Sequence, residues 1–187
     1  MRQSKFLELL DSSNSIQNDI NEITITVPTL EVEGELLIDS SCKISSNCNT
    51  VITCDIFSIS SPSVSIDNIT FQSTVSVKNS NNLSISHCVI KNAKRSYGAL
   101  YIYYSKDAII SHVTITEIES IPGIKILCHS TVTADHITVH NIQETLVALY
   151  TKSQMKITDS SFHHSQCNGF YMQDQTSIEI SNSTISY

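Results

Sequence analysis

The stretch Val-Ser-Ile-Asp-Asn-Ile-Thr-Phe at residues 64–71 is one copy of a phrase used six times: apolar, any, apolar, any, a polar Asn, His or Asp, a small or apolar residue, any, apolar. The other copies occupy residues 83–90, 108–115, 132–139, 155–162 and 178–185. Their third positions are Ile66, Ile85, Ile110, Ala134, Ile157 and Ile180, separated by 19, 25, 24, 23 and 23 residues. A supersecondary unit recurring at such a period is stacked on itself, because one copy cannot bury its apolar face alone.

Parity inside the phrase says what the unit is. Val64 and Ile66 share one face of a strand, whereas Ile69 and Phe71 have the opposite parity, since strand side chains alternate with period two. A single residue in the left-handed region resets the face, and Asn, Asp and His are the non-glycine residues most enriched there. The residue at the break is Asn68, His87, His112, His136, Asp159 or Asn182. Each phrase therefore reads as two short strands around a bend, both pointing apolar side chains into one interior. A third strand follows at residues 100–102, 124–126, 147–149 and 170–172, each ending eight residues before the next third position.

Three short strands per coil, advancing one strand spacing per turn, describe an all-β parallel β-solenoid of about seven coils. The pattern resembles the right-handed parallel β-helix family of pectate lyases, polygalacturonases and phage tailspikes. The resemblance implies the right-handed sense. The repeat is clear over residues 64–187 and looser over 23–63. The expected organisation is a capping segment at 1–22 followed by a β-helix at 23–187. Phe6, Leu7, Leu9 and Leu10 read as a short helix covering the first coil, whose strand edges otherwise lack partners. The last copy of the phrase is followed by no such segment. Either the chain is part of a longer protein, or another molecule, including a second copy, stacks on that coil.

With 40% hydrophobic residues in 187, the chain can bury the core of one domain. No apolar run reaches the length of a membrane span, and the N-terminal apolar stretch is too short for a secretory signal. A protein inside a cell or a virion, with reduced thiols, is the expectation. Six cysteines are present, yet neither a secretory context nor a CxxC pair accompanies them. Residues 1–77 carry three basic and ten acidic side chains, and residues 78–187 carry eight of each. That balance argues against nucleic acid as partner. Lys91, Lys94 and Arg95 form a small basic cluster that reads as solvated loop.

The histidines at three successive bends should stack about 4.8 Å apart. The same position holds Asn68, Asp159 and Asn182, so a structural bend ladder accounts for all six without a metal or other cofactor. His163 and His164, near Cys167, are the remaining metal candidates. Asn-x-Ser/Thr sequons start at Asn68, Asn82 and Asn182, two of them bend positions unsuited to carrying a glycan.

The third strand carries the candidate contact surface. Tyr101, Lys125, Ala148 and Tyr171 should form one outward column, with Tyr103, Leu127, Tyr150 and Gln173 in the next. Tyrosines on a sheet face suit a protein interface or sugar stacking, and they also stack across coils as support. The resemblance implies a search for clustered carboxylates, yet the family's Asn-Thr-Asp, Asp-Asp, Arg-Ile-Lys and Trp-x-Asp-His phrases are missing. The carboxylates of residues 107–179 read as scattered over different faces, with Asp107 and Asp174, beside the tyrosines, as the catalytic candidates. The reading is a non-catalytic structural or recognition module. The alternative is a diverged polysaccharide lyase or glycoside hydrolase.

Overall fold

The computed structural model describes residues 16–19, 22–94 and 97–186. Of the twenty strands among the described residues, all but Ile16–Asp19 wind into coils of three sheets, and every coil-to-coil pairing is parallel. The first sheet stacks Glu22–Ile25, residues 42–45 and 64–67, Leu83–Ser86, Ala108–Ser111, Thr131–Asp135, Gln154–Thr158 and Ser177–Ser181. The third sheet holds seven strands, from Glu35–Ile38 to Phe170–Met172, so the described residues make seven full coils and two sides of an eighth. The expected solenoid is thus present. The short helix expected at residues 1–10 lies outside the described residues. Within the 1–22 segment, Ile16–Asp19 is a strand paired antiparallel to Glu22–Ile25.

Register follows the repeated phrase. Ile66, Ile85, Ile110, Ala134, Ile157 and Ile180 are consecutive partners, as are Phe71, Ile90, Ile115, Val139, Phe162 and Ile185. All but the last of each column are fully buried. Burying one such side chain stabilises by roughly 1.5–3 kcal/mol, so the core is the sum of aligned columns. Phe57 packs on Phe71 with ring centroids 4.8 Å apart, and Phe162 on Phe170 at 5.1 Å. At this end Ile180 and Ile185 are exposed, as is Met172, which continues the column of Ile102, Ile126 and Leu149.

The three corners work differently. At the first, Asn68, His87, His112, His136, Asp159 and Asn182 all take positive φ, between 49° and 59°. One left-handed residue per coil is therefore what turns the chain. The looser fit before residue 64 has a local cause: Ser45 pairs with Asp67 and Thr50 with Ile69, so residues 46–49 stand opposite Asn68 alone. That longer corner is closed by Ser46, whose Oγ accepts from the Thr50 N–H at 2.9 Å, and by Asn68 Nδ2 donating to the Ser46 carbonyl at 2.7 Å.

At the third corner a serine ladder is buried completely. Ser80, Ser105, Ser130 and Ser153 have no exposed surface. The Ser80 N–H donates to Ser105 Oγ at 3.2 Å, and the Ser105 N–H donates to Ser130 Oγ at 3.1 Å. These hydroxyls satisfy backbone groups that have no strand partner, as buried polar groups require.

From residue 64 onward, the second corner absorbs all the variation in repeat length. From the last inward residue of the second sheet to the first of the third, the chain runs from Phe71 to Val75 in one coil. In later coils it runs from Ile90 to Leu100, Ile115 to Ile124, Val139 to Val147 and Phe162 to Phe170. Slim coils thus lie beside bulging ones, and a groove of about 760 Å³ runs along the step.

All six cysteines are free. Cys88 is buried, its thiol donating to the Ser86 carbonyl at 3.0 Å, and burial pushes its pKa up to about 12. Cys42, Cys48 and Cys54, spaced every six residues, fall on a strand and at two successive corners of a single coil.

Candidate functional site

Tyrosines cluster on the outer face of the third sheet. Register places Ser76, Tyr101, Lys125, Ala148 and Tyr171 in one column and Lys78, Tyr103 and Leu127 in the next, with Tyr150 following Leu149. Ring contacts run from Tyr97 to Tyr101 (5.2 Å), Tyr101 to Tyr103 (6.3 Å), Tyr103 to Tyr104 (5.0 Å) and Tyr104 to His129 (6.3 Å). A second group joins Tyr150 to Tyr171 at 5.5 Å, with Lys125 Nζ 5.3 Å from the Tyr150 ring centroid. Lys78 sits 5.9 Å from the centroid of Tyr97. These are cation–π distances.

Exposure divides the rings into two kinds. Tyr101, expected outward and open, is only 8% exposed, because Tyr97 from the second-corner loop leans on it. Burial raises its phenol pKa, as it does for Tyr150. Tyr103 and Tyr150 are half-buried, while Tyr97, Tyr104 and Tyr171 are 43%, 50% and 40% exposed. The exposed part of this face is therefore presented by Tyr97, Tyr104 and Tyr171. Tyr101, Tyr103 and Tyr150 hold those rings in place. Tyr97 and Tyr104 escaped the sequence reading because they lie in corner segments, outside the strand columns.

The catalytic candidates do not converge. Asp107 and Asp174 both have positive φ and are exposed at the third corner. They lie three coils apart, since Ala108, Val132, Met155 and Ile178 are successive partners. Three strand spacings amount to about 14 Å along the axis. Paired glycosidase carboxylates need about 5–9.5 Å. Asp107 borders instead a shallow depression of about 380 Å³ with Lys156 and Glu179.

Other carboxylates do come together. Glu117 and Glu119, expected to scatter, line the 760 Å³ groove with Glu33, Asp55, Lys94 and Cys54. Spacing alone could not show this, because the groove exists only through the unequal second corners. At the first corner, His87 stacks on His112 and His112 on His136, each pair at 4.9 Å, the expected rise of one coil. Asp67 Oδ1 lies 2.9 Å from His87 Nδ1, and that hydrogen bond is the main reason its carboxyl pKa falls. His140, His163 and His164 form a separate group, with the Nδ1 atoms of His163 and His164 2.6 Å apart. Burial holds His163 below the ordinary imidazole value, and the other two rings add to the effect. Cys167 is exposed, its N–H bound to Ser165 Oγ.

The sequence model of one family, described as the right handed beta helix region, matches residues 10–187. The chain belongs to this right-handed β-helix family. No curated protein and no solved structure matches it significantly. Membership fixes the hand of the coil on which the tyrosine face and both corner clusters of this β-helix are carried. Among the described residues, no helix is long and apolar enough to cross a membrane.

Proposed function

We propose that this β-helix is a non-catalytic recognition module that binds a protein partner through the outer face of its third sheet. The observation carrying the reading is the division of labour among the tyrosines. Three rings stand 40–50% exposed on a face where their neighbours are packed and fixed. Rings ordered before binding lose little entropy on contact, which favours interfaces rich in tyrosine. Lys78 and Lys125, resting on ring faces, give the patch local positive charge. A partner surface with carboxylates between apolar groups complements it.

The test compares the wild-type chain with the double variant Tyr104→Ala/Tyr171→Ala, matched for thermal midpoint, as baits in an extract of the source organism. One protein retained by the wild type and lost by the variant, then reconstituted from purified components, is the expected result. Equal retention by both baits overturns the assignment of the face. Retention on immobilised glycans instead of a protein moves the ligand class to carbohydrate. Release of reducing ends or unsaturated products from polysaccharides, with or without calcium, overturns the non-catalytic part.

A further inference from the structure

The first corner needs only a left-handed residue, and Asn68 and Asn182 meet that need. Asn68 also spends its amide on the Ser46 carbonyl. Among the described residues, neither the His136 nor the Asp159 side chain makes a backbone hydrogen bond of this kind. Their imidazole and carboxylate are thus more than the bend requires.

At this point of the ladder three potential ligands meet. One ligand atom each from Asp135, His136 and Asp159 lies within 4.8 Å of the other two. His136 Nδ1 is 2.8 Å from Asp135 Oδ2, and Thr158 Oγ1 donates to Asp135 Oδ1 at 2.5 Å. Thr158 therefore fixes the carboxylate so that its second oxygen faces the imidazole. Asp159 follows His136 one coil later in the same column. Around a tetrahedral first-row ion with bonds of about 2.0–2.2 Å, ligand atoms sit roughly 3.3–3.6 Å apart. The three atoms, at separations from 2.8 Å to 4.8 Å, bracket that spacing. Half of the His136 side chain is exposed, so an ion can enter from solvent.

We infer that Asp135, His136 and Asp159 form a site for a divalent transition-metal ion of the zinc class, with one imidazole nitrogen, two carboxylate oxygens and a fourth position open to water. One nitrogen and two oxygens match the borderline character of that ion, and three protein ligands leave the coordination sphere incomplete. Binding replaces the proton shared by His136 Nδ1 and Asp135 with the metal, and that proton leaves to solvent. The Thr158 hydroxyl supplies the outer hydrogen bond that commonly orients a metal-bound carboxylate. Among the described residues, no other rung has this set. At the opposite end of the stack, Asp67 faces His87 with Ser86 as its neighbour, which supplies two ligands only.

The repeat provides its own controls. Asn occupies the bend at residues 68 and 182, and Ser occupies the position before it at residues 86, 111 and 181. His136→Asn, Asp159→Asn and Asp135→Ser therefore each install a residue that another coil already carries. Cobalt(II) is titrated into the full chain and its visible absorption followed, with calorimetric titration of zinc alongside. The expected result is one ion per chain, with tetrahedral bands and no thiolate charge-transfer band. Each variant should lose at least about tenfold in affinity, the scale typical of damaged metal shells, with circular dichroism unchanged. His112→Asn and the pair His163→Asn/His164→Asn should bind as the wild type does. Unchanged binding by the three variants overturns the site, as does a thiolate band or a loss confined to the His163/His164 variant. If a variant misfolds, the wild-type chain still decides: the largest zinc-induced shift of an imidazole resonance must belong to His136, and any other outcome refutes the assignment.

Discussion

Tyr101→Ala and Tyr104→Ala change two rings on the same sheet face, yet they should differ sharply in stability. Tyr101 is 8% exposed and its ring lies 5.2 Å from Tyr97 and 6.3 Å from Tyr103. Truncation returns roughly 100 Å² of apolar surface to water, which at about 25 cal/mol/Å² costs about 2.5 kcal/mol. Loss of the ring pair with Tyr97 adds about 0.5–1 kcal/mol. The sum is about 3 kcal/mol, with Tyr97 left unsupported. Tyr104 is already 50% exposed and touches Tyr103 edge-on, so its truncation should cost less than about 1 kcal/mol. Equilibrium unfolding in urea, read by circular dichroism, measures both. A change below about 1 kcal/mol for Tyr101→Ala, or equal costs for the two variants, would refute the division into supporting and contacting rings. The same burial should make Tyr101 ionise above the ordinary phenol value of 10.0, so the late fraction of an alkaline ultraviolet titration, which Tyr150 shares, should shrink in Tyr101→Ala.

The serine ladder offers an internal comparison: Ser105→Ala strands the buried Ser80 N–H and should cost about 1–3 kcal/mol, whereas Ser80→Ala removes a hydroxyl with no partner among the described residues and should be nearly neutral in the same urea assay. At the first corner, His112→Asn should leave the melting temperature nearly unchanged, while the β-branched His112→Val, forced to a φ near 53°, should lose at least about 1–2 kcal/mol. Asp135 raises the pKa of His136, chiefly through their hydrogen bond, so the imidazole should titrate by NMR above its ordinary 6.5 and fall back toward it in Asp135→Ser. The raised histidine stabilises fully below pH 6.5, and its contribution is lost as pH rises through its folded-state pKa. Asp135 has its pKa lowered, first by Thr158 and then by His136, and Asp67 is lowered likewise by His87; their contributions are present above about pH 4 and vanish on acidification through the depressed values. Urea midpoints measured across pH should therefore show these corner contributions coexisting between about pH 4 and 6.5, and a midpoint insensitive to Asp135→Ser in that window would refute the coupling.

Most of the fold was legible because two corners obey fixed spacing. From Ile66 to Phe71, and from Val77 to Leu83, the residue count is the same in each later coil. The parity break at Asn68 and its equivalents therefore exposed the bend directly. The second corner has no fixed spacing, so neither the groove nor the company of Glu117 and Glu119 could be read from the chain. Outward parity placed Tyr101 on the correct face of its strand but carried no information about Tyr97, which reaches it from a loop of unshared length. The repeat already put Asp159 one rung from His136, but that Thr158 turns Asp135 toward the imidazole is visible only in the folded chain. The coil at 42–59 looked irregular because four corner residues replace one, a difference that a period count reads as a broken repeat.

From residue 64 onward, confining length variation to one corner separates what can change from what must not. The buried columns at Ile66, Phe71, Val75 and Val77 are insensitive to how many residues bridge Phe71 and Val75, since the strand register is set on either side of that bridge. Added chain at this corner costs little closure entropy, about 0.6 kcal/mol for each doubling of a loop. A new loop can thus be inserted at any level of the coil without moving a core side chain. The second corner is where this β-helix can acquire new contacts, and where a designed peptide could be grafted at a chosen height beside the tyrosine face.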